Sequence, residues 1–378
     1  MQQFCTCYAT SSLLDFKSKA EALDNSEKKP RKILFDMNTL EATYSIVTPM
    51  FIGDAEQKAT SLRPPSIKGA LRFWWRALHW KSYLQKTHGH GEALQRLHEQ
   101  EGRLFGQAAR DEQNRQVGGQ GCFILQVAQQ PKLNPKENRW PENKTGSGYL
   151  GFGLMESGDK ARHNYQAHRD ALIETNQFTV SLIFKPNTPQ ADIDGIEKTL
   201  QVWGLLGGLG GRARRGFGSV SLVSFKRPQK QLETFDYNES QYRQQINNLL
   251  NDYRDVEDYP PYSALSQHTR FEIITAPDPK AREVHNSAGN AYKNHRGEPS
   301  DLRGADKIPF GLPLQDVDLD NRRSSPLLFH IHPLTNKTYV AGVLYLPAEF
   351  HHLRKYQPAD LTKFYQHVAA FLKSNKTG

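Results

Sequence analysis

Cysteine is scarce in this chain. Cys5, Cys7 and Cys122 are too few for a disulfide framework, and a Cys-x-Cys without a second pair makes a poor zinc site. No run of 18 apolar residues occurs, so no membrane-spanning helix is expected. The polar start, Met1 to Thr10, has no apolar core of the signal-peptide kind, and the expected location is the cytoplasm. A Gly-x-x-x-x-Gly-Lys-Ser/Thr loop is missing too, which disfavours a P-loop nucleotidase. The pairs His88/His90, His330/His332 and His351/His352 each lack a nearby third ligand of fitting type. Neither metal nor cofactor is therefore expected.

Positive charge, by contrast, is abundant and localised. Residues 60–110 carry nine Lys/Arg against three Asp/Glu, and residues 200–230 carry six against none. These windows hold twelve net positive charges where the whole chain has +9, so the remainder is slightly acidic. Such concentration is the footprint of a polyanion site rather than of general solubilisation.

Two segments carry the charge. In Arg-Pro-Pro-Ser-Ile-Lys-Gly-Ala-Leu-Arg-Phe-Trp-Trp-Arg (63–76) the prolines stop preceding structure, and Ser66 is the expected N-cap of a helix running to about residue 84. Helical spacing puts Ile67, Leu71, Trp74 and Leu78 in one sector and Lys68, Arg72, Arg76 and His79 in another. The basic sector, with the free N–H groups of the first turn, is expected to face an anionic ligand. The second segment, Leu205 to Val220, holds six glycines with Arg212, Arg214 and Arg215. It reads as a connector with few core contacts, whose backbone approaches a ligand while the arginines supply donors for phosphate oxygens. Gly208, Gly210 and Ala213 satisfy a loose G-x-G-x-x-A, but a helix precedes and a strand follows, the reverse of a dinucleotide fingerprint.

With 378 residues, two domains are the prior. Residues 1–36 read as an N-terminal extension or peripheral helix. An alternating strand over 39–52, the helix of 66–84, a helical stretch 92–104, strands 122–128 and 178–185, a helix 193–206 and a strand 219–225 give the order of a ferredoxin-like unit, placed at 37–228. The second half, 229–378, is a smaller α+β unit with a helix around Tyr242 to Tyr253, strands at 271–275, 327–332 and 339–346, and a C-terminal helix from Leu361 to Leu372. The stretches 129–166 and 277–309 are polar and without periodicity, and read as long loops that form arms or stay disordered.

Three segments resemble the RAMP superfamily of CRISPR effector proteins, and more narrowly the first-numbered subunit of the type III-B Cmr module. They are Thr48 to Gly53 with Arg63 to Arg76, Trp203 to Val220, and Arg322 to Leu327. The resemblance implies an α+β fold of two ferredoxin-like (RRM-like) domains, antiparallel sheets with helices on one face. It implies a non-catalytic RNA-binding subunit that caps an RNA-guided antiviral complex near the guide RNA 3′ end. The implied partners are guide RNA, target RNA and other Cmr subunits, including the backbone RAMP proteins, and no membrane. Carried over residue by residue, the RNA-facing positions are Lys68, Arg72, Arg76, Arg212, Arg214 and Arg215. An endoribonuclease of the same superfamily, using His79 or Asp54, is the alternative; a free-standing single-stranded RNA binder is a third. Asp54 reads as a turn residue, Trp74 and Trp203 as packing residues, and Trp75 stands between stacking on bases and packing.

Overall fold

A computed structural model describes residues 39–53, 58, 61–112, 115–131, 139–156, 166–297, 302–314, 317–350 and 358–376. The expected extension 1–36, Asp54, His351 and His352 lie outside the described residues.

The first unit runs β1 (Thr39–Ile46), β2 (Met50–Phe51), α1 (Pro64–Leu84), α2 (His90–Phe105), β3 (Gln107–Glu112), β4 (Arg115–Gly119), β5 (Phe123–Gln129), α3 (Gly146–Leu150), β6 (Ala171–Leu172), β7 (Gln177–Phe184), α4 (Gln190–Leu206), β8 (Val220–Lys226) and β9 (Glu233–Thr234). Its main sheet has the order β5-β7-β1-β8-β9, antiparallel throughout. β1 shows why the sequence pattern sufficed there. Leu40, Ala42, Tyr44 and Ile46 are buried while the residues between them are half-exposed, so a one-residue slip would turn the whole apolar set outward. Tyr44 packs on Trp203 of α4 at 4.6 Å between ring centroids and donates its hydroxyl to the Leu200 carbonyl at 2.9 Å. The apolar sector of α1 joins the same core. β9 extends this sheet beyond residue 228, where the sequence placed the domain boundary.

The second unit runs α5 (Glu239–Asn251), β10 (Arg270–Ile273), α6 (Ala281–Arg296), a 3-10 turn at Gly304–Phe310, the hairpin β11 (Leu312–Leu314) and β12 (Asp318–Arg323), β13 (Leu327–Pro333), β14 (Tyr339–Tyr345), α7 (Leu361–Phe364) and α8 (Gln366–Ser374). Its sheet, β10-β14-β13, is antiparallel, and no fourth strand joins it among the described residues. The fold is thus mixed α+β with antiparallel sheets. β13 is buried on both faces and accordingly reads as a continuous apolar run. Phe329 and Ile331 pack with Val284 and Tyr292 of α6 and Phe371 of α8, whereas Leu328 joins the core of the first unit.

Helix α6 corrects the expectation of a structureless 277–309. Ala281, Val284, His285, Ala288, Gly289 and Tyr292 are buried at helical spacing. The pattern is faint in the sequence because alanine, glycine and histidine carry little apolar signal. The small residues serve a close crossing: a Cβ on Gly289 would lie 2.2 Å from the Gly146 carbonyl oxygen of α3, inside the other stretch expected to be a loop.

Candidate nucleic-acid interface

The basic stripe of α1 already has an anionic counterpart. Arg76 holds both Glu101 oxygens of α2 at 3.0 and 3.2 Å, and Arg72 Nε lies 3.7 Å from the same carboxylate, whose side chain is only 7% exposed. Arg72 also donates to the Gly106 carbonyl and Lys68 to the Phe105 carbonyl at 3.2 Å. The stripe therefore docks on the C-terminal end of α2, where unsatisfied carbonyls and the helix dipole attract cations. Burial foremost, then Arg72, lowers the Lys68 pKa. Arg72 and Arg76 keep about a third of their side-chain surface in solvent, 33% and 38%.

The expected amide site at the start of α1 is absent. The cap is Arg63, with Pro64 and Pro65 at the first helical positions, and Ser66 lies inside the helix. Proline has no N–H, and the amides of Ser66 and Ile67 both point back to the Arg63 carbonyl at 3.0 and 3.4 Å.

The glycine segment is not a peripheral connector but a wedge between the two units. Thr48 donates to the Gly216 carbonyl at 2.6 Å and accepts from the Ser219 amide at 3.0 Å; the Gly211 amide reaches the Phe51 carbonyl at 2.6 Å. On the other side the Phe329 amide of β13 donates to the Arg214 carbonyl at 3.0 Å, and His330 Nδ1 donates to the Gly207 carbonyl at 2.9 Å. Phe217 is fully buried. Glycine is required at 218, where φ is +59° and a Cβ would sit 2.1 Å from the Leu209 carbonyl oxygen.

Its three arginines have different surroundings. Arg212 is exposed and donates to the Phe152 carbonyl. Arg214 donates to the Ser325 carbonyl at 2.7 Å and lies over the Phe73 ring, and its Nε is buried without a partner. Burial, then the charges of Arg215 and Arg323, lower its pKa to about 10. Arg215 lies over Tyr292 with its guanidinium carbon 4.8 Å from the ring centre, one nitrogen buried and unbonded. Arg323 donates to the Glu349 carbonyl and to the Tyr365 hydroxyl. None of Arg214, Arg215 and Arg323 makes an ion pair among the described residues. Arg323 escaped the sequence reading as a site residue, although it stands in the Arg322 to Leu327 segment. Only folding shows that this segment and Thr48 to Gly53 both meet the glycine loop.

Between α1 and this loop lies a cavity of about 340 Å³. Ala70, Phe73 and Trp74 form one wall, Gly208, Arg214 and Leu328 the other. A cavity of about 520 Å³ lies near α4 and β8, but its Arg227 is already paired with Glu197 and Glu233.

Trp75 is buried, 2% exposed, and stacks on the His79 ring at 4.6 Å, so it packs; Trp74 and Trp203 are buried as well. His79 Nδ1 bonds the Trp75 carbonyl at 2.8 Å, its pKa is lowered chiefly by burial, and α4 closes over its Nε2 at Gly195. His90 bonds Glu349, while His330 and His332 are buried between the units. Ser147 and His285 form a buried pair at 2.8 Å that sequence spacing, 138 residues, gave no means of finding.

Residues 43–221 match the RAMP superfamily. Over 312 residues the chain is 27% identical to the CRISPR system Cmr subunit Cmr1-1 of Pyrococcus furiosus, a match spanning 77% of this chain and 82% of that protein. The crystal structure of Cmr1 from Pyrococcus furiosus in its apo form is 22% identical and superposes with a TM-score of 0.53 over 89% of this chain and 97% of that one. At that identity the likeness is one of fold. A subunit in the cryo-EM structure of the type III-B Cmr-beta complex bound to cognate target RNA has 11% identity, a TM-score of 0.47, and coverage of 89% and 98%. Family match, sequence relative and fold agree on one resemblance: the chain is similar to the RAMP superfamily across residues 43–221, to Cmr1-1 over 77% of its length in sequence, and to Cmr1 in fold.

Proposed function

We propose that this chain is a non-catalytic RNA-binding subunit of a type III-B CRISPR effector, capping the complex near the 3′ end of its guide RNA. One observation carries the reading: Arg214 lines an apolar cavity, the charges of Arg215 and Arg323 act on it, and none of the three has a carboxylate partner among the described residues. Buried cations are costly unless an anion completes them, and a nucleic-acid backbone supplies anions with the geometry guanidinium donors prefer. Phe73, half-buried in the cavity wall, suits an unstacked base, as single-stranded RNA offers. RNA contact is also assigned to Arg212 and to the solvent-facing parts of Lys68, Arg72 and Arg76, which lie on the α2 side of α1 and not on the cavity. The protein would then hold guide RNA by its backbone and leave sequence choice to base pairing.

Guide RNA, target RNA and the other Cmr subunits, including backbone RAMP proteins, are the partners this reading requires, in the cytoplasm. The sequence relative is itself a Cmr subunit. On this reading both sheets belong to ferredoxin-like units, the second with three strands among the described residues.

Purification of the native assembly tests the reading: RNA of uniform length should accompany the protein and its neighbours, and free chain without RNA would count against it. The purified chain should bind single-stranded RNA without cutting it, with or without divalent metal. Cutting that His79→Ala or Asp54→Ala abolished would make the endoribonuclease reading the better one.

A further inference from the structure

Phe152 is the most exposed large apolar side chain among the described residues, at 82%. The turn that presents it, after α3, is tightly built. The Leu154 amide donates to the Gly151 carbonyl at 2.8 Å, and a Cβ on Gly151 would meet the Phe217 ring at 2.9 Å. The Phe152 carbonyl accepts two bonds from one guanidinium, Arg212 Nε at 2.9 Å and Nη2 at 2.5 Å. Arg212 itself has φ +60°, a region side-chain-bearing residues seldom occupy. Of the five N–H donors of a guanidinium, two are spent on Phe152, and Arg212 makes no ion pair among the described residues.

We propose that Phe152 and Arg212 form a single grip on single-stranded RNA: an unpaired base stacks on the Phe152 ring, and the remaining Arg212 donors take the adjoining phosphate. This rests on the RNA reading above and extends that surface to a turn lying within 129–156. A turn backbone and a guanidinium fixed in advance on each other lose little freedom on binding, which leaves only the Phe152 ring to be ordered by the base. An apolar protein pocket would fit the ring alone. It would leave the Arg212 charge facing a partner with nothing to neutralise it, and residues 200–230 contain no acidic residue that could do so from within.

The test is anisotropy titration of the full chain with labelled oligouridylate and with the same ribose-phosphate chain lacking bases, over a range of salt. F152A should keep the wild-type melting temperature and weaken oligouridylate binding by about tenfold. The slope of log affinity against log salt should not change, since no phosphate contact is lost. F152W should restore affinity, with its added indole fluorescence quenched by RNA, and the abasic chain should bind wild type and F152A equally. Wild-type affinity in F152A overturns the grip while leaving the RNA reading intact. Normal RNA binding by F152A together with lost retention of co-expressed Cmr subunits would make Phe152 a protein-docking residue instead. Failure of the wild-type chain and F152W to respond to either chain would overturn the RNA reading and the grip together.

Discussion

Arg76 of α1 grips both carboxylate oxygens of Glu101 on α2, at 3.0 and 3.2 Å, and so ties the basic stripe to the protein itself. Removing the carboxylate should loosen this joint and free the stripe. Glu101→Ala is expected to lower stability by about 1–3 kcal/mol, less than for a fully buried pair because Arg72 and Arg76 are a third exposed. The same variant should bind RNA with a steeper salt dependence, since two guanidinium groups are released toward solvent. Urea titration and salt-dependent anisotropy read the two effects; an unchanged midpoint would show that the pair contributes nothing.

The three loop arginines should separate in their effects. Arg212→Ala should spare the melting temperature and reduce the salt slope on single-stranded RNA by about 0.7, the value for one phosphate. Arg214→Ala and Arg215→Ala should lower the melting temperature as well, because their side chains pack on Phe73 and on Tyr292. Equal melting temperatures for all three variants would contradict the wedge.

Trp75 provides a control for packing. Its burial and its stacking on His79 predict a loss of about 3–5 kcal/mol for Trp75→Ala, measured by denaturant unfolding. At salt and temperature where the variant is still folded, its RNA affinity should equal that of the wild type.

Acid should part the two units. Burial lowers the pKa values of His285 and His330 from 6.5 to about 4, and each ring bonds a carbonyl of the glycine loop, Arg215 at 2.9 Å and Gly207 at 2.9 Å. A base held neutral in the folded state and free to protonate when unfolded stabilises the fold fully above pH 6.5. That stability is lost as pH falls toward 4, at about 1.4 kcal/mol per pH unit for each histidine. The urea midpoint should therefore drop across this window, and His285→Asn with His330→Asn should flatten the dependence. A midpoint as flat in the wild type would exclude the linkage.

Much of this was legible locally. The alternation in β1, the apolar sector of α1 and the element order of the first unit follow from residue periodicity, which needs no knowledge of distant neighbours. The charge pattern located both basic segments. Where those charges point was not legible, because it depends on groups brought near only by folding: Glu101 lies 25 residues from Arg76, and Ser325 lies 111 from Arg214. Helix α6 was missed because its buried face consists of residues chosen for a close crossing with α3 rather than for hydrophobicity. By itself, then, the sequence determined the periodic strands and helices of the first unit and which segments carry positive charge. The tertiary structure alone decided which cations are paired with acidic groups of the protein and which, Arg214, Arg215 and Arg323 above all, have no carboxylate partner among the described residues.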